Sequence, residues 1–147
     1  MDLLNNSDLV WDHYEGTSLG RKVDYWGAIL GVHDDAHVEV LYRWEPNAYC
    51  HFHRHISPIS SVVLAGDLKV IDIVDGMEVG ERWRRAGDYS HKEVIEDHIE
   101  QAGPNGALVM FSLYAPDGIL TERLADDGSV IHPIRVEDIR ARAEALH

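Results

Sequence analysis

The sequence predicts an all-β protein, built as an antiparallel sandwich or barrel and followed by a C-terminal helix. Turn-forming clusters such as Asp75-Gly76 and residues 103–106 recur at short intervals along the chain. The runs between them alternate apolar and polar residues or are rich in β-branched and aromatic residues. No sustained apolar stripe of 3.6-residue period occurs before Arg135. Many short strands without intervening helices favour a sandwich or barrel.

Each of these runs predicts one strand that ends at a turn signal. The predicted strands cover residues 22–32, 37–44, 50–55, 60–64, 67–74, 78–84, 95–101, 107–114, 119–124 and 130–134. A helix is predicted over residues 136–146, because Val136, Ile139 and Ala143 share one face and Leu146 closes it. No repeat, low-complexity segment or linker is visible, so residues 1–147 are predicted to form a single domain.

Charge and composition exclude several classes of partner. Thirteen basic residues against 26 acidic ones give a formal charge of -13. Nucleic acids and anionic membranes both require a basic patch, so neither is an expected partner. No apolar stretch approaches the ~18 residues of a membrane helix, and the first residues do not resemble a signal peptide. The single cysteine excludes an internal disulfide and fits a reducing compartment. We therefore expect a cytoplasmic protein.

The stretch 49–55 contains the pattern that is most informative about function. His51, His53 and His55 alternate with other residues, so on a strand all three project from one face. Two imidazoles at this spacing lie close enough to bind one metal ion, and neutral imidazole is a common ligand for Zn, Fe, Ni and Cu. A solvated histidine-rich strand without a metal is the alternative.

Two segments around this pattern resemble the sequence motifs of the cupin superfamily. The first begins at His53-Arg54-His55 and reaches Gly66, and the second runs from Gly87 to His98. Residues 67–86 match the short stretch that the family carries between its motifs. The resemblance covers residues 40–115 approximately.

The chain departs from the cupin pattern at several positions. The acidic ligand of the first motif would fall near Ile59, beside Ser60 and Ser61, and no carboxylate stands there. In the second motif Glu93 and Ile95 replace proline and glycine, and Ala102 replaces the final asparagine. This pattern resembles the small single-domain cupins similar to acetylacetone-cleaving and dihydroxyacetophenone-cleaving dioxygenases, which keep the histidines and often lose the glutamate.

The resemblance implies a jelly-roll β-barrel in which His53, His55 and His98 hold a divalent metal. Ferrous iron is the metal it implies first, with Zn, Ni and Mn as alternatives. The implied function is that of a non-haem iron dioxygenase. Its reaction would cleave a carbon–carbon bond next to a carbonyl in a small β-dicarbonyl or hydroxyketone. The family resemblance also implies a homodimer, and the apolar segment Leu9-Val10-Trp11 is a candidate to pair with a partner's sheet edge.

Two other functions fit the same motifs. A non-catalytic cupin could sense a small ligand or a metal, and a non-redox lyase, isomerase or cyclase could use the same metal. Three neutral ligands leave open coordination positions and nearly the full charge of the metal, so we expect an anionic, chelating small-molecule substrate.

Several further residues are candidates for the site. His51 could be a fourth ligand, an acid/base group or a rim histidine, and Glu78 or Glu81 could supply a carboxylate if their hairpin folds inward. Alternation predicts that one of two sets lines the substrate cavity, either Val109, Phe111 and Leu113 or Met110 and Tyr114. Cys50 is predicted to be a buried thiol that faces away from the ligands. His91 is predicted to lie in the pocket or at the surface, and surface positions are predicted for His13, His33, His37, His132 and His147.

Overall fold

The fold is a strongly curled antiparallel sheet with one short helix at its end, as shown by a computed structural model that describes residues 1–34 and 36–146. The elements in chain order are β1 (Asp12–Ser18), β2 (Arg21–His33), β3 (His37–Trp44), β4 (His53–His55), β5 (Ile59–Val74), β6 (Met77–Arg85), β7 (Tyr89–Lys92), β8 (Glu96–Tyr114), β9 (Ile119–Leu124), β10 (Val130–Arg135) and α1 (Val136–Ala145). No described helix has the length and apolar character needed to cross a bilayer.

The strand order along the sheet is β1-β2-β3-β8-β4-β9-β10, and β5 pairs with β6, β7 and β8. Strand β8 is the centre of the fold, because its first residues pair with β4, its last residues with β3, and most of its length with β5. The core lies inside the curl. Its fully buried side chains include Phe52, Leu68, Ile99, Val23, Val38, Val63 and Val109.

The predicted all-β class and the C-terminal helix are confirmed. Val136 is buried, and Ile139 packs against the core. The helix therefore covers the sheet with the face that the sequence indicated, and its last residues are exposed.

Four predicted strands are in fact two long ones. The segments 60–64 and 67–74 are joined in β5, and 95–101 and 107–114 are joined in β8. At Gly66, which the sequence suggested was a turn, β5 continues through a register shift with a φ of 72°. A β-bulge of this kind bends a strand without ending it, and glycine signals alone do not separate the two outcomes.

Three further differences concern short segments. Strand β1 was not predicted, since its sequence is mostly polar and it is held by pairing with β2. Strand β7, which pairs with β5, was also missed. The predicted strand 50–55 is a strand only at His53–His55, because residues 50–52 leave the regular pairing.

Candidate metal centre

Two adjacent strands bring three histidines together inside the curl. His53 and His55 are alternate residues of β4 and so face the same side, and His53 pairs directly with His98 of β8. The Nε2 atoms of His53 and His55 are 3.0 Å apart. The ring centroids of the three histidines lie 4.6 to 4.7 Å from one another. The three rings thus form a compact triangle.

A carboxylate completes this cluster, and it comes from the same strand as His98, although it was not among the ligands predicted from the sequence. Glu100 lies two residues after His98 on β8, so both face the same side. Its Oε1 atom is 3.6 Å from His53 Nε2 and 3.7 Å from His98 Nε2, and the residue is 5% exposed. One ligand atom from each of these four residues lies within 4.8 Å of the others. The alternation in His98-Ile99-Glu100 was the signal that could have identified it.

The candidate acidic ligands Glu78 and Glu81 lie elsewhere. Both are exposed on β6, where Glu78 pairs with Arg21 and Glu81 with Lys69. The hairpin that carries them does not fold inward, so this alternative is wrong.

A hydrogen bond on the outer side of its ring orients Nε2 of His53 inward, and a carboxylate lies near the outer nitrogen of His98. His53 Nδ1 lies 2.7 Å from the carbonyl oxygen of His51, which can only accept, so Nδ1 carries the proton and Nε2 keeps its lone pair. Glu96 Oε2 lies 3.6 Å from His98 Nδ1, and this interaction lowers the pKa of Glu96 to about 2. Arg82 holds the same carboxylate at 3.3 Å. Such outer carboxylates fix the tautomer of a metal-binding histidine.

The unpaired atoms fit a metal ion. Both ring nitrogens of His98 are buried and have no hydrogen-bond partner within residues 1–34 and 36–146, and Nε2 is the one that faces Glu100. A buried nitrogen without a partner is costly, and an ion among the four ligand atoms would satisfy it. Three imidazoles and one carboxylate are also a donor set that suits Fe, Mn, Ni or Zn.

Burial keeps the ligands in the protonation state that metal binding requires. The pKa of His53 is lowered to about 4, chiefly by burial and then by the charge of His98. The pKa of His55 is lowered well below its usual range, again chiefly by burial and then by His53. Both imidazoles are therefore neutral near pH 7, with lone pairs available to a cation.

His51 lies beside the cluster rather than within it. Its Nδ1 is 2.9 Å from the hydroxyl of Tyr25, and its ring lines the adjoining cavity. Burial, followed by the charge of Arg123, lowers its pKa to about 4. Burial also raises the pKa of Tyr25 well above its usual range. The pair is thus a neutral imidazole and a neutral phenol, placed where a substrate would meet them.

A cavity of about 330 Å³ opens beside the cluster. Aromatic rings form much of its wall, contributed by Tyr14, Tyr25, Tyr42, Trp44 and Phe111. Phe111 and Leu113 line it, while Met110 and Tyr114 occupy the other face of β8. The inward set is therefore the one that contains Phe111, although Val109 itself is fully buried in the core. A cavity of this size accommodates a small organic molecule.

Cys50 contradicts the prediction that it faces away from the ligands. It is buried as expected, but it lines the cavity, and its sulfur accepts the backbone N–H of Glu100 at 3.3 Å. The alternation argument failed because residues 50–52 are not part of a regular strand. Burial, followed by the charge of Glu100, raises the pKa of the thiol well above its usual range.

The remaining histidines are placed as follows. His91 is exposed on β7, where its Nδ1 lies 2.7 Å from Ser60 Oγ. His33, His37 and His132 are exposed as predicted, although His132 also borders the cavity. His13 is exposed as predicted as well, and its ring stacks on Trp26 with the ring centroids 3.8 Å apart, and His147 lies outside the described residues.

No protein-family model and no curated protein sequence matches the chain. Solved structures do match it. An RmlC-like cupin protein from Ralstonia eutropha superposes with a TM-score of 0.72 at 11% identity, covering 97% of this chain and 84% of that one. An acetylacetone dioxygenase from Acinetobacter johnsonii superposes with a TM-score of 0.68 at 12% identity, covering 92% and 87%.

A third match is to part of a larger protein. An oxalate decarboxylase from Lactobacillus farciminis matches with a TM-score of 0.58 at 21% identity over 76% of this chain. The chain spans 32% of that protein's length. At such identities the similarity establishes a shared fold, and the reaction must be argued from the site itself.

Proposed function

We propose, from the premise that the chain has the cupin fold, that it is a metal-dependent enzyme whose ion is held by His53, His55, His98 and Glu100. The observation that carries this proposal is the convergence of these four groups within 4.8 Å, at the wall of a cavity of about 330 Å³. The single buried cysteine supports the further proposal that the enzyme works in the reducing cytoplasm.

The finer proposal is a non-haem iron dioxygenase that cleaves a carbon–carbon bond next to a carbonyl in a small β-dicarbonyl or hydroxyketone. A fold shared with an acetylacetone dioxygenase supports this substrate class by analogy. When bound, the metal would supply Lewis acidity and, as ferrous iron, the redox chemistry of the reaction. The side chains of the cavity would perform the other roles that the reaction requires.

Those side chains exclude water and handle a proton. The aromatic wall with Phe111 and Leu113 keeps the reacting end of a substrate out of bulk water. His51 is neutral near pH 7, and in the tautomer whose Nδ1–H donates to the Tyr25 hydroxyl, its Nε2 can take a proton from an enolisable carbon. His51 is therefore the acid/base candidate of this proposal.

Glu100 gives specific support to a second function, a non-redox lyase, isomerase or cyclase. The first motif has no carboxylate, but a buried carboxylate, that of Glu100, lies within the cluster. For this function the three histidines would hold the ion and Glu100 would act as the acid/base group, a role that a positioned carboxylate can take in proton transfer.

Metal analysis and an oxygen assay test the proposal together. We expect about one metal ion per purified chain, and strong loss of that ion in His53→Ala, His55→Ala and His98→Ala. The matched control is His33→Ala, an exposed histidine whose ring pairs with Glu39. Iron-loaded protein should consume oxygen with acetylacetone or a dihydroxyacetophenone.

The outcomes separate the candidate functions. Equal metal content in wild type and in a His53→Ala/His98→Ala double variant would refute the metal site. Bound metal without oxygen consumption, but with conversion of the substrate, would establish the non-redox function instead. Bound metal with no conversion of any β-dicarbonyl or hydroxyketone would leave the sensing cupin as the better description.

A further inference from the structure

Arg123 places a positive charge inside the cavity wall. It lies on β9 directly opposite His53 of β4, so its side chain projects from the same face as that ligand. It is half-buried and lines the cavity. Its charge lowers the pKa of His51 in the same direction as burial, and it lowers the pKa of Tyr14, Tyr25 and Tyr42 against the larger raising effect of burial.

No described carboxylate neutralises this guanidinium. Across residues 1–34 and 36–146, the guanidinium of Arg123 forms no ion pair and donates no hydrogen bond, whereas that of Arg142 in the same wall pairs with Asp12 at 2.7 Å. Arg54, which follows His53 on β4, also has a counterion, because it pairs with Asp97 at 2.6 Å. A partly buried cation without a counterion is unfavourable unless a ligand completes it.

The acidic groups that line the cavity are already engaged. Asp12 is held by Arg142, and Glu100 lies against the histidines. Asp138, at the start of α1, accepts the backbone N–H of Arg135 at 3.4 Å. The cavity therefore offers an incoming anion one unpaired cation, set beside an otherwise largely aromatic wall.

We propose that Arg123 is the anion subsite of this cavity and that the substrate is an oxo acid. The carboxylate of this acid binds Arg123, and its carbonyl oxygens face the four-residue cluster. A guanidinium offers a carboxylate two parallel hydrogen bonds, which fixes orientation as well as affinity. The aromatic rings take the apolar carbon chain between the two ends. The placement of the oxygens rests on the proposed function, and the placement of the carboxylate does not.

The test is a comparison of an acid with its neutral ester. We choose 2,4-dioxopentanoate, a β-diketone that carries a carboxylate, and its methyl ester. Binding is measured by calorimetry without oxygen, on metal-free and on zinc-loaded protein, so that no turnover is required. Wild-type protein should bind the acid at least about tenfold more tightly than the ester, as expected for hydrogen bonds between charged groups.

Variants assign this preference to one side chain. Arg123→Gln should weaken binding of the acid about tenfold or more and leave the ester within about twofold, and Arg123→Lys should restore part of the loss. Arg43→Gln is the matched control, because it removes an equal charge from a side chain that stacks on Trp11 outside the cavity. Melting temperatures of all variants establish that they are folded.

Several results would overturn the subsite. One is equal affinity of the wild-type protein for the acid and the ester. Another is an equal loss of affinity for both probes in Arg123→Gln, and a third is no binding of either probe. If the acid preference is present but zinc changes neither affinity, the anion subsite stands and the metal-dependent function fails. If zinc tightens both probes equally and Arg123→Gln has no selective effect, the function stands and the subsite fails.

Discussion

At the scale of single residues, the candidate centre consists of two pairs built by one geometric rule. His53 with His55, and His98 with Glu100, are each separated by one residue on a strand, so each pair points to one side. Direct pairing of His53 with His98 then brings the two pairs together. The rule therefore predicts that Glu100 binds the metal ion together with the three histidines.

Replacement of Glu100 by glutamine tests that membership. Glu100→Gln removes the negative charge with little change of shape, so we expect weaker binding of a divalent ion, measured by competition with a chromogenic chelator. Glu96→Gln is the comparison, because Glu96 is outside the cluster of His53, His55, His98 and Glu100 and lies near the outer nitrogen of His98, where loss of a supporting group costs about 10- to 100-fold. The loss in Glu100→Gln should be at least as large, and an unchanged affinity would exclude Glu100 from the ligand set.

Burial of the ligands also predicts an acid-sensitive metal-free protein. The pKa of His53 is about 4 in the fold against 6.5 in the unfolded chain, so between these values the unfolded chain binds more protons. The contribution of this residue to the free energy of unfolding is therefore fully present above pH 6.5. It falls by about 1.4 kcal/mol per pH unit as the pH drops towards 4. The pKa of His55 is lowered as well and acts in the same direction.

Urea unfolding at pH 7 and pH 5 measures this loss. We expect about 2 kcal/mol less stability at pH 5 from His53 alone, and His53→Gln should remove that part of the difference. His91→Gln, which replaces an exposed histidine on β7, should keep it. The same burial lets metal binding persist below the pH of ~6.5 at which free imidazole gains its proton. Equal stability at both pH values would show that the histidines are not buried in their neutral form.

At the scale of elements, the position of the cluster depends on how the long strands β5 and β8 bend. Gly66 has a φ of 72° at the bulge in β5, and a Cβ there would lie 2.1 Å from the carbonyl oxygen of Gly106 in β8. Gly76 has a similar φ of 78°, but a Cβ there meets nothing within 4 Å. The two glycines thus share a backbone conformation and differ only in the space around them.

Alanine at each glycine separates these two effects. Gly76→Ala should cost about 1 to 2 kcal/mol for the left-handed conformation alone. Gly66→Ala adds a collision with backbone, so we expect a loss of more than about 3 kcal/mol in urea unfolding or failure to fold. Similar small losses in both variants would show that β5 and β8 can separate at the bend without cost.

How far the sequence predicts these elements depends on whether local pattern or pairing decides them. Strand β3 is found at the predicted residues 37–44, since its β-branched and aromatic alternation is strong. Strand β1 was missed because its polar residues adopt a strand only through β2. The three histidines were identified from alternation and motif spacing. Glu100 was not predicted because the acidic ligand was expected in the first motif, although Glu100 alternates with His98 on β8 in the same way.

At the scale of the whole molecule, the sheet has open edges and a large net charge. Among the described strands, β1 pairs with β2 and β10 pairs with β9 alone, so each leaves one side unpaired. Before β1, the side chain of Trp11 stacks under Arg43, and Val10 is 51% exposed. An unpaired edge next to an exposed apolar residue is where a second chain can add. Each chain brings a formal charge of -13 to such an association.

We therefore expect a homodimer whose affinity rises with ionic strength. Two chains of like charge repel one another, and salt screens this repulsion over about 8 Å at physiological strength, while the apolar contact of Val10 is not screened. Light scattering at micromolar concentration, in low and in moderate salt, measures the dimer fraction. Val10→Ser should reduce it, and Leu4→Ser is the control because Leu4 is equally apolar, 67% exposed and farther from the edge. A monomer at both salt concentrations would refute the dimer. An equal effect of both substitutions would move the interface away from β1.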